Sequence, residues 1–218
     1  MKFSLLGRRI LHFIFPPRCP LCDAFVDIHD QPCSPCERSL QRLEGDFTPM
    51  RLDRVWFRQA RSCLAYEGKV VDAIHAFKYG RRLDLISFFA HLMQAEVNGC
   101  DVIIPVPLHT RKLFSRGYNQ AALLATRVGK AACIPVVFFA LKRTGDGEPQ
   151  VGKEGEARID NVKGLFAVHD RRRTRLEGKS ILLIDDVLTT GATVNECAKI
   201  LIKAGAAAVD VLTIARPL

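Results

Sequence analysis

Three groups of residues in this chain have types and spacings suited to chemistry. The first is Cys19-Pro-Leu-Cys22 followed by Cys33-Ser-Pro-Cys36, two C-x2-C pairs separated by ten residues. Each pair places two thiolates on a tight turn, and two such turns close a tetrahedral four-sulfur site for zinc. Disulfides are the competing reading, but a reducing compartment would not keep them; a thioredoxin-like dithiol normally comes singly, beside a βαβ unit. The second group is Asp185-Asp186 with Thr189-Thr-Gly-Ala-Thr193 just beyond it. Hydroxyls and small residues leading into a helix make an anion pocket, where unpaired N–H groups and the helix dipole favour negative charge. Two carboxylates beside such a pocket would repel the anion, unless they bind sugar hydroxyls or hold a divalent metal through water. The third group is Arg111, Lys112 and Arg116, three cations within six residues.

The elements needed to position these groups follow from periodicity. Ile181 to Ile184 are four consecutive apolar residues, the pattern of a strand buried on both faces of a parallel sheet, and the strand is expected to stop at Asp185. Val194, Cys197, Ala198, Leu201 and Ile202 then recur at helical spacing until Gly205. A ligand of an open α/β sheet sits outside the carboxyl ends of its strands, where the acids fall. Asp101 to Leu108 reads as a second short buried strand. It leads into a basic loop, His109 to Gln120, and a helix over Ala121 to Lys130, so that Arg111 and Lys112 form a second anion site on the same crevice. Helices are also expected from Val70, Val71, Ile74 and Phe77, ending at Lys78-Tyr79-Gly80, and over Leu83 to Val97. Lys78 reads equally as a solvated charge or an anion contact. Strands are expected at Val136 to Leu141, from Phe166, and at Ala208 to Ala215. The polar Lys142 to Asn161 segment, with Arg143, Gln150, Arg158 and Asn161, has the length of a functional lid. Arg171, Arg172, Arg173 and Arg175 form a basic patch. Cys63, Cys100, Cys133 and Cys197 are expected to fill apolar space, and His75 and His91 to lie on helices without a ligand role.

An ATPase is the obvious competitor, because apolar residues followed by Asp-Asp also describe a Walker B strand. Gly178-Lys179-Ser180, however, precedes its strand rather than following one, and position 173 is Arg where a P-loop needs glycine. At 218 residues with 48% hydrophobic residues, the chain is too apolar for disorder and long enough for one α/β domain with a small appendage. The formal charge of +9 suits a polyanionic partner. Arg8 and Arg9 split the N-terminal apolar residues, Ile10 to Phe15 end at two prolines, and no run approaches the length of a membrane span; a cytoplasmic protein is expected. The boundaries expected are an N-terminal segment with the zinc element at 1–45, a linker at 46–62 and the main domain at 63–218.

The run of four apolar residues, two acids and then Thr-Thr-Gly-Ala-Thr resembles the phosphoribosyl-diphosphate (PRPP) loop of type I phosphoribosyltransferases. With Phe77-Lys78-Tyr79, Pro105-Val-Pro107, Arg116-Gly-Tyr-Asn-Gln120, Gln150-Val-Gly152, Arg158, Asn161-Val-Lys-Gly164 and the cysteine pairs in the same order, the chain is similar over nearly its full length to the ComF family of competence-associated proteins. The resemblance implies a parallel-sheet type I phosphoribosyltransferase fold behind a four-cysteine structural zinc element, acting in the uptake or use of external DNA. It further implies Mg²⁺ bound together with PRPP. Asp185 and Asp186 would then hold the ribose and metal, Thr189, Thr190, Gly191, Ala192 and Thr193 the 5′-phosphate, and Arg111 and Lys112 the pyrophosphate. The partners implied are single-stranded DNA and a competence helicase. An active transferase acting on a nitrogenous acceptor is the enzymatic form of the same reading.

Overall fold

Why the apolar run tolerates no polar residue is clear in the computed structural model, which describes residues 16–47, 52, 54–144, 162 and 164–218. In chain order, a five-residue helix α1 (Ser34–Arg38) belongs to the cysteine element. Strand β1 (Gln59–Ala65), helices α2 (Gly68–Tyr79) and α3 (Leu85–Gln94), and strand β2 (Val102–Pro105) follow. Then come helices α4 (Thr110–Arg116) and α5 (Gln120–Ala132), and short strands β3 (Leu141–Arg143) and β4 (Phe166–Val168). A 3-10 turn at Asp170–Arg175, strand β5 (Ser180–Val187), helix α6 (Ala192–Lys203) and strand β6 (Ala208–Arg216) complete the order. The main sheet runs β1-β6-β5-β2, every pair parallel; β3 and β4 form a separate antiparallel pair.

Side chains of a strand alternate between faces, so a sheet covered on both sides must be apolar at every position. Leu182 and Ile184 of β5 and Leu212 and Ile214 of β6 join one core with Ile74 and Phe77 of α2, Phe89 and Met93 of α3 and Leu124 of α5. Ile181 and Leu183, with Val209 and Val211, enter the other core with Cys197 and Leu201 of α6 and Leu141 and Phe166 of the antiparallel pair. Both outer edges of the sheet are covered. Along β1, the Leu43 and Phe47 amides donate to the Cys63 and Ala60 carbonyls, and Ala65 donates to Gln41. Along β2, the Ile103 amide donates to Pro135 and Val137 donates to Ile103. Covering removes the unpaired ladder that an exposed edge would offer to other chains.

Several expectations are corrected here. β5 does not end at Asp185 but continues to Val187, because the long neighbour β6 keeps pairing with it as far as Val187 with Ala215. The loop expected to carry Arg111, Lys112 and Arg116 is helical, capped by His109, whose Nδ1 accepts from the Arg111 amide at 3.1 Å. The strand expected at Val136 to Leu141 is reduced to a single bridge at Val136, since Phe139 at φ 57° turns the chain before β3 begins at Leu141. The helix expected over Leu83 to Val97 is confined to Leu85–Gln94. β1 begins at Gln59, inside the stretch read as a linker at 46–62, and residues 41–47 run along the β1 edge. Cys63 and Cys197 are buried as expected, but Cys133 is exposed at the end of α5 and Cys100 is only half-buried. His75 and His91 both lie exposed on helices. Residues 1–15 and most of the expected lid, 145–161 with Gln150, Arg158 and Asn161, lie outside the described residues. Among the described residues, no helix is long and apolar enough to cross a membrane.

Candidate ligand crevice and four-cysteine centre

The acids project from the carboxyl end of β5, next to β2 and β6 in the middle of the sheet. The Asp186 amide donates to Asp185 Oδ1 at 2.8 Å, which fixes the first carboxylate against the backbone of the second. Burial pushes the Asp185 carboxyl up to about 7, and the adjacent Asp186 charge adds to the effect; the same backbone hydrogen bond and the charges of Lys78 and Arg116 oppose it. Burial and an adjacent like charge are the means by which carboxyls in binding and catalytic clefts are tuned.

Lys78, undecided from spacing, reaches this pair from the last turn of α2: its Nζ lies 2.8 Å from Asp186 Oδ1, with the two side chains 16% and 14% exposed. Its neighbours in the chain serve the same crevice. The Tyr118 hydroxyl donates to the Phe77 carbonyl. Arg116 lies over the Tyr79 ring, 4.7 Å from its centroid, and donates to the Tyr79 hydroxyl at 3.0 Å and to Gln120 Oε1 at 3.1 Å. Lys112 has its pKa lowered by burial and then by Arg116, with smaller effects from Arg143 and Lys78. Lys78, Lys112, Arg116 and Arg143 therefore share one positive field. Arg143 enters it from β3, its guanidinium 5.7 Å from the Phe166 ring and its pKa lowered by burial. Of the two residues expected to hold pyrophosphate, Lys112 is thus in the field of the crevice. Arg111 is exposed on the same helix.

Beyond β5 the chain turns through residues 188–191 and enters α6. Leu188 is buried and donates its amide to the Ala215 carbonyl at 2.9 Å, pinning the start of the turn. Thr189 is exposed, Thr190 and Thr193 are half-buried, and Thr190 Oγ1 accepts from the Ala192 amide at 3.4 Å. Gly191 caps α6 at φ 77°, in the left-handed region that costs a side chain about 1–2 kcal/mol. Ala192 is 5% exposed, so the helix start is closely packed and the backbone can approach a ligand. Two residues of α6 that sequence reading missed hold the surroundings. Asn195 accepts from the Trp56 amide at 2.7 Å and donates to the Arg54 carbonyl at 2.9 Å. The buried Glu196 accepts from the Gly164 amide at 3.1 Å and from Lys199 at 3.0 Å. Apart from Lys199, one helical turn on, their partners are 32 to 141 residues away, beyond any local pattern.

The second constellation is the cysteine centre. The sulfurs of Cys19, Cys22, Cys33 and Cys36 lie within 4.8 Å of one another, and all eight cysteines are free. Zinc–sulfur bonds of about 2.3 Å at tetrahedral angles give sulfur–sulfur edges of about 3.8 Å; Cys22 and Cys33 are 3.6 Å apart. The Cys33 amide donates to Cys19 Sγ at 3.3 Å and Lys69 Nζ to Cys36 Sγ at 3.1 Å, the donors that metal-bound thiolates require. These residues fit zinc. Glycine, frequent after the second cysteine of such turns, is replaced by Asp23, which itself adopts φ 59° with its amide on the Cys19 carbonyl at 2.9 Å; Glu37 lies in helix α1 and needs no such conformation.

Comparison with known proteins gives a family match over each of the two regions. Residues 10–49 match the double zinc ribbon domain family, and residues 114–217 match the phosphoribosyl transferase domain family. The chain is 32% identical over 162 residues to the DNA utilization protein YhgH of Escherichia coli, covering 70% of each chain. It is 28% identical over 195 residues to the competence protein ComFC of Bacillus subtilis, covering 87% of this chain and 73% of that one. Among solved structures it is similar to the glutamine PRPP amidotransferase of B. subtilis, at 20% identity and a TM-score of 0.43, over 64% of this chain and 30% of that chain.

Proposed function

The chain belongs to the ComF family, a double zinc ribbon joined to a phosphoribosyltransferase domain, and on that premise we propose that it binds PRPP with Mg²⁺ as part of the handling of acquired DNA. The observation that carries this reading is the juxtaposition of Asp185 and Asp186 with the Thr189–Thr193 turn at the start of α6, under a field of four cations. A ligand for such a crevice must carry hydroxyls or a coordinated cation for the carboxylates and multiple negative charges for the cations. Among phosphate esters of sugars, PRPP has all three features.

In the bound state the Thr189 and Thr193 hydroxyls and the first amides of α6 take the 5′-phosphate, where neither side-chain bulk nor backbone charge opposes it. Asp185 and Asp186 face the ribose diol and would hold Mg²⁺, which would supply positive charge against that of the ligand. Lys78, now on Asp186, is placed to move to the pyrophosphate as the acids engage the sugar, joined by Lys112 and Arg116. The basic surface of the chain, with a formal charge of +9, supports contact with single-stranded DNA or with a DNA-processing helicase in the same role.

Calorimetric titration of zinc-loaded protein with PRPP and Mg²⁺, repeated on the Asp185→Asn/Asp186→Asn variant, tests this. Binding that the variant loses is the expected result. Absence of heat at millimolar PRPP, or undiminished binding by the variant, overturns it. Release of pyrophosphate from the bound ligand in the presence of an amine or nucleobase would extend the reading from binding to transfer.

A further inference from the structure

Helix α2 touches both constellations. At its N-terminal end Lys69 donates to Cys36 Sγ at 3.1 Å. At its C-terminal end three successive residues serve the crevice: the Phe77 carbonyl accepts from Tyr118, Lys78 pairs with Asp186 at 2.8 Å, and Tyr79 carries Arg116 on its ring. Just past the helix, Arg82 donates to both carboxylate oxygens of Asp23, at 3.2 and 3.4 Å, and Asp23 directly follows the ligand Cys22. Leu21, flanked by Cys19 and Cys22, packs against the core that holds Ile74 and Phe77 of the same helix. The cysteine turn is therefore fastened to α2 near its first residue, along its buried face and just past its last.

These fastenings depend on the shape of the cysteine turn. Asp23 is held at φ 59°, a conformation that a non-glycine residue keeps only while its surroundings enforce it. A metal closing the four sulfurs supplies that enforcement and sets where Leu21 and the Asp23 carboxylate lie. Lys69 meets the negative charge of a metal–thiolate centre, so its contact is also strongest when the centre is loaded. A helix moves as a rigid unit: Lys69 and Lys78 are nine residues apart, about 14 Å along the axis, and a shift imposed at one end is delivered at the other. Each surface ion pair is weak alone, but the pairs act together with an apolar contact on one element.

We propose that α2 couples the metal occupancy of the four-cysteine centre to the ligand crevice, so that loss of zinc displaces Lys78 and Tyr79 and weakens binding of the phosphorylated ligand. This rests on the proposed PRPP site for its ligand, but the movement of α2 is independent of it. The zinc ribbon is then a control element for the phosphoribosyltransferase domain, not only an appendage.

The test uses the full-length protein and two readouts. Hydrogen–deuterium exchange follows the Gly80 and Arg82 amides, both bonded to the Ala76 carbonyl, and calorimetry follows binding of PRPP with Mg²⁺. Zinc-depleted wild-type protein is expected to exchange faster at Gly80 and Arg82 and to bind about fivefold or more weakly, the lower range of measured couplings. Zinc-loaded Lys69→Met/Arg82→Leu, with metal content verified, should show the same two changes while β5 and β6 stay protected. Unchanged exchange at Gly80 and Arg82 in that loaded variant overturns the coupling, even if depletion unfolds the wild type. Equal PRPP affinity of the loaded variant and wild type likewise overturns control of the crevice and leaves the PRPP site standing. If neither protein binds PRPP but exchange at α2 responds, the ligand assignment fails and the coupling through α2 holds.

Discussion

Replacing Asp185 by Asn should stabilise the ligand-free protein, because the native fold confines a carboxylate beside another one. The shift of Asp185 from 3.8 to about 7 means that its charged form is disfavoured in the native state. At about 1.4 kcal/mol per pKa unit, the ceiling on this penalty is about 4 kcal/mol above neutral pH. Because Asp185 and Asp186 titrate as a pair, and water relaxes around the crevice, about half of that is the expected gain. The Asn side-chain carbonyl can still accept the Asp186 amide, so the 2.8 Å hydrogen bond survives and the variant removes charge rather than structure. The sign follows from linkage. A group whose folded pKa lies above its unfolded value binds more protons when folded, so its stabilising effect is complete at low pH and is lost as pH rises between about 4 and about 7. The variant should therefore exceed wild type in melting temperature by about 4–8 °C near pH 8, taking about 2–4 °C per kcal/mol for a chain of this size. Near pH 5 the gap should shrink to about a third. Differential scanning calorimetry of zinc-loaded protein without Mg²⁺ or ligand, at both pH values, measures it. A variant no more stable than wild type near pH 8, or a gap that does not change with pH, would refute the picture of a desolvated acid pair.

Lys78→Met leaves Asp186 without its partner in a site only 14% exposed, and should lower stability by about 1–3 kcal/mol near pH 8; adding Asp186→Asn should recover most of the loss in thermal melts, and failure to recover it means the pair does not interact. Gly191→Ala forces a side chain to adopt φ 77°, so a loss of about 1–2 kcal/mol in denaturant titration is expected, together with weaker PRPP binding because the turn before α6 must shift. Single-stranded DNA affinity, if the basic surface is used, should fall with salt at a log–log slope of about −0.7 for each phosphate contacted; a flat response in fluorescence anisotropy counts against direct contact.

What sequence could reveal depended on how local the determinant was. The parallel strand, the helix after it and the paired cysteines are each written in a few consecutive residues, and the fold places them where they were expected, whereas the acid pair, expected where the strand stops, lies inside β5. The sheet order was not legible, because β1 joins β6 and β2 joins β5 across more than a hundred and about eighty residues respectively, and periodicity says nothing about which strands become neighbours. Length errors followed the same logic: β5 extends through two acids because β6 offers it partners, a tertiary effect overriding the local signal. Asn195 and Glu196 carried no signal, since a polar residue on a helix reads as solvent-facing until its distant partner is known. Lys78 was visible as a candidate but undecidable, because a lysine near a helix end serves solvent more often than a site. Clustering with Lys112 and Arg116 brought Arg111 into the hypothesis, but the helical form of α4, which carries all three, was not legible in that clustering.

The arrangement of charge explains why acids and cations are kept on different elements. Asp185 and Asp186 come from β5, and the cations from the end of α2, from α4 and from β3, so no single segment carries a compensated set. In the free protein Lys78 bridges the two signs, and Asp185 remains penalised. A ligand bearing both a coordinated cation and a polyphosphate neutralises both halves at once, which makes its binding energy largest where the unliganded protein is least stable. On the proposed function, the penalty on the ligand-free acids would be the source of selectivity: a simple phosphate would relieve the cations but leave the acids paired against each other, and a divalent metal alone would relieve the acids but add to the positive field. Metal and phosphorylated sugar should therefore bind with positive cooperativity. In calorimetric titrations of zinc-loaded protein, Mg²⁺ should raise PRPP affinity by more than it raises the affinity for inorganic pyrophosphate, and the difference should disappear in Asp185→Asn/Asp186→Asn. Equal enhancement for the two anions would place the metal on the phosphates alone and remove the acids from ligand recognition.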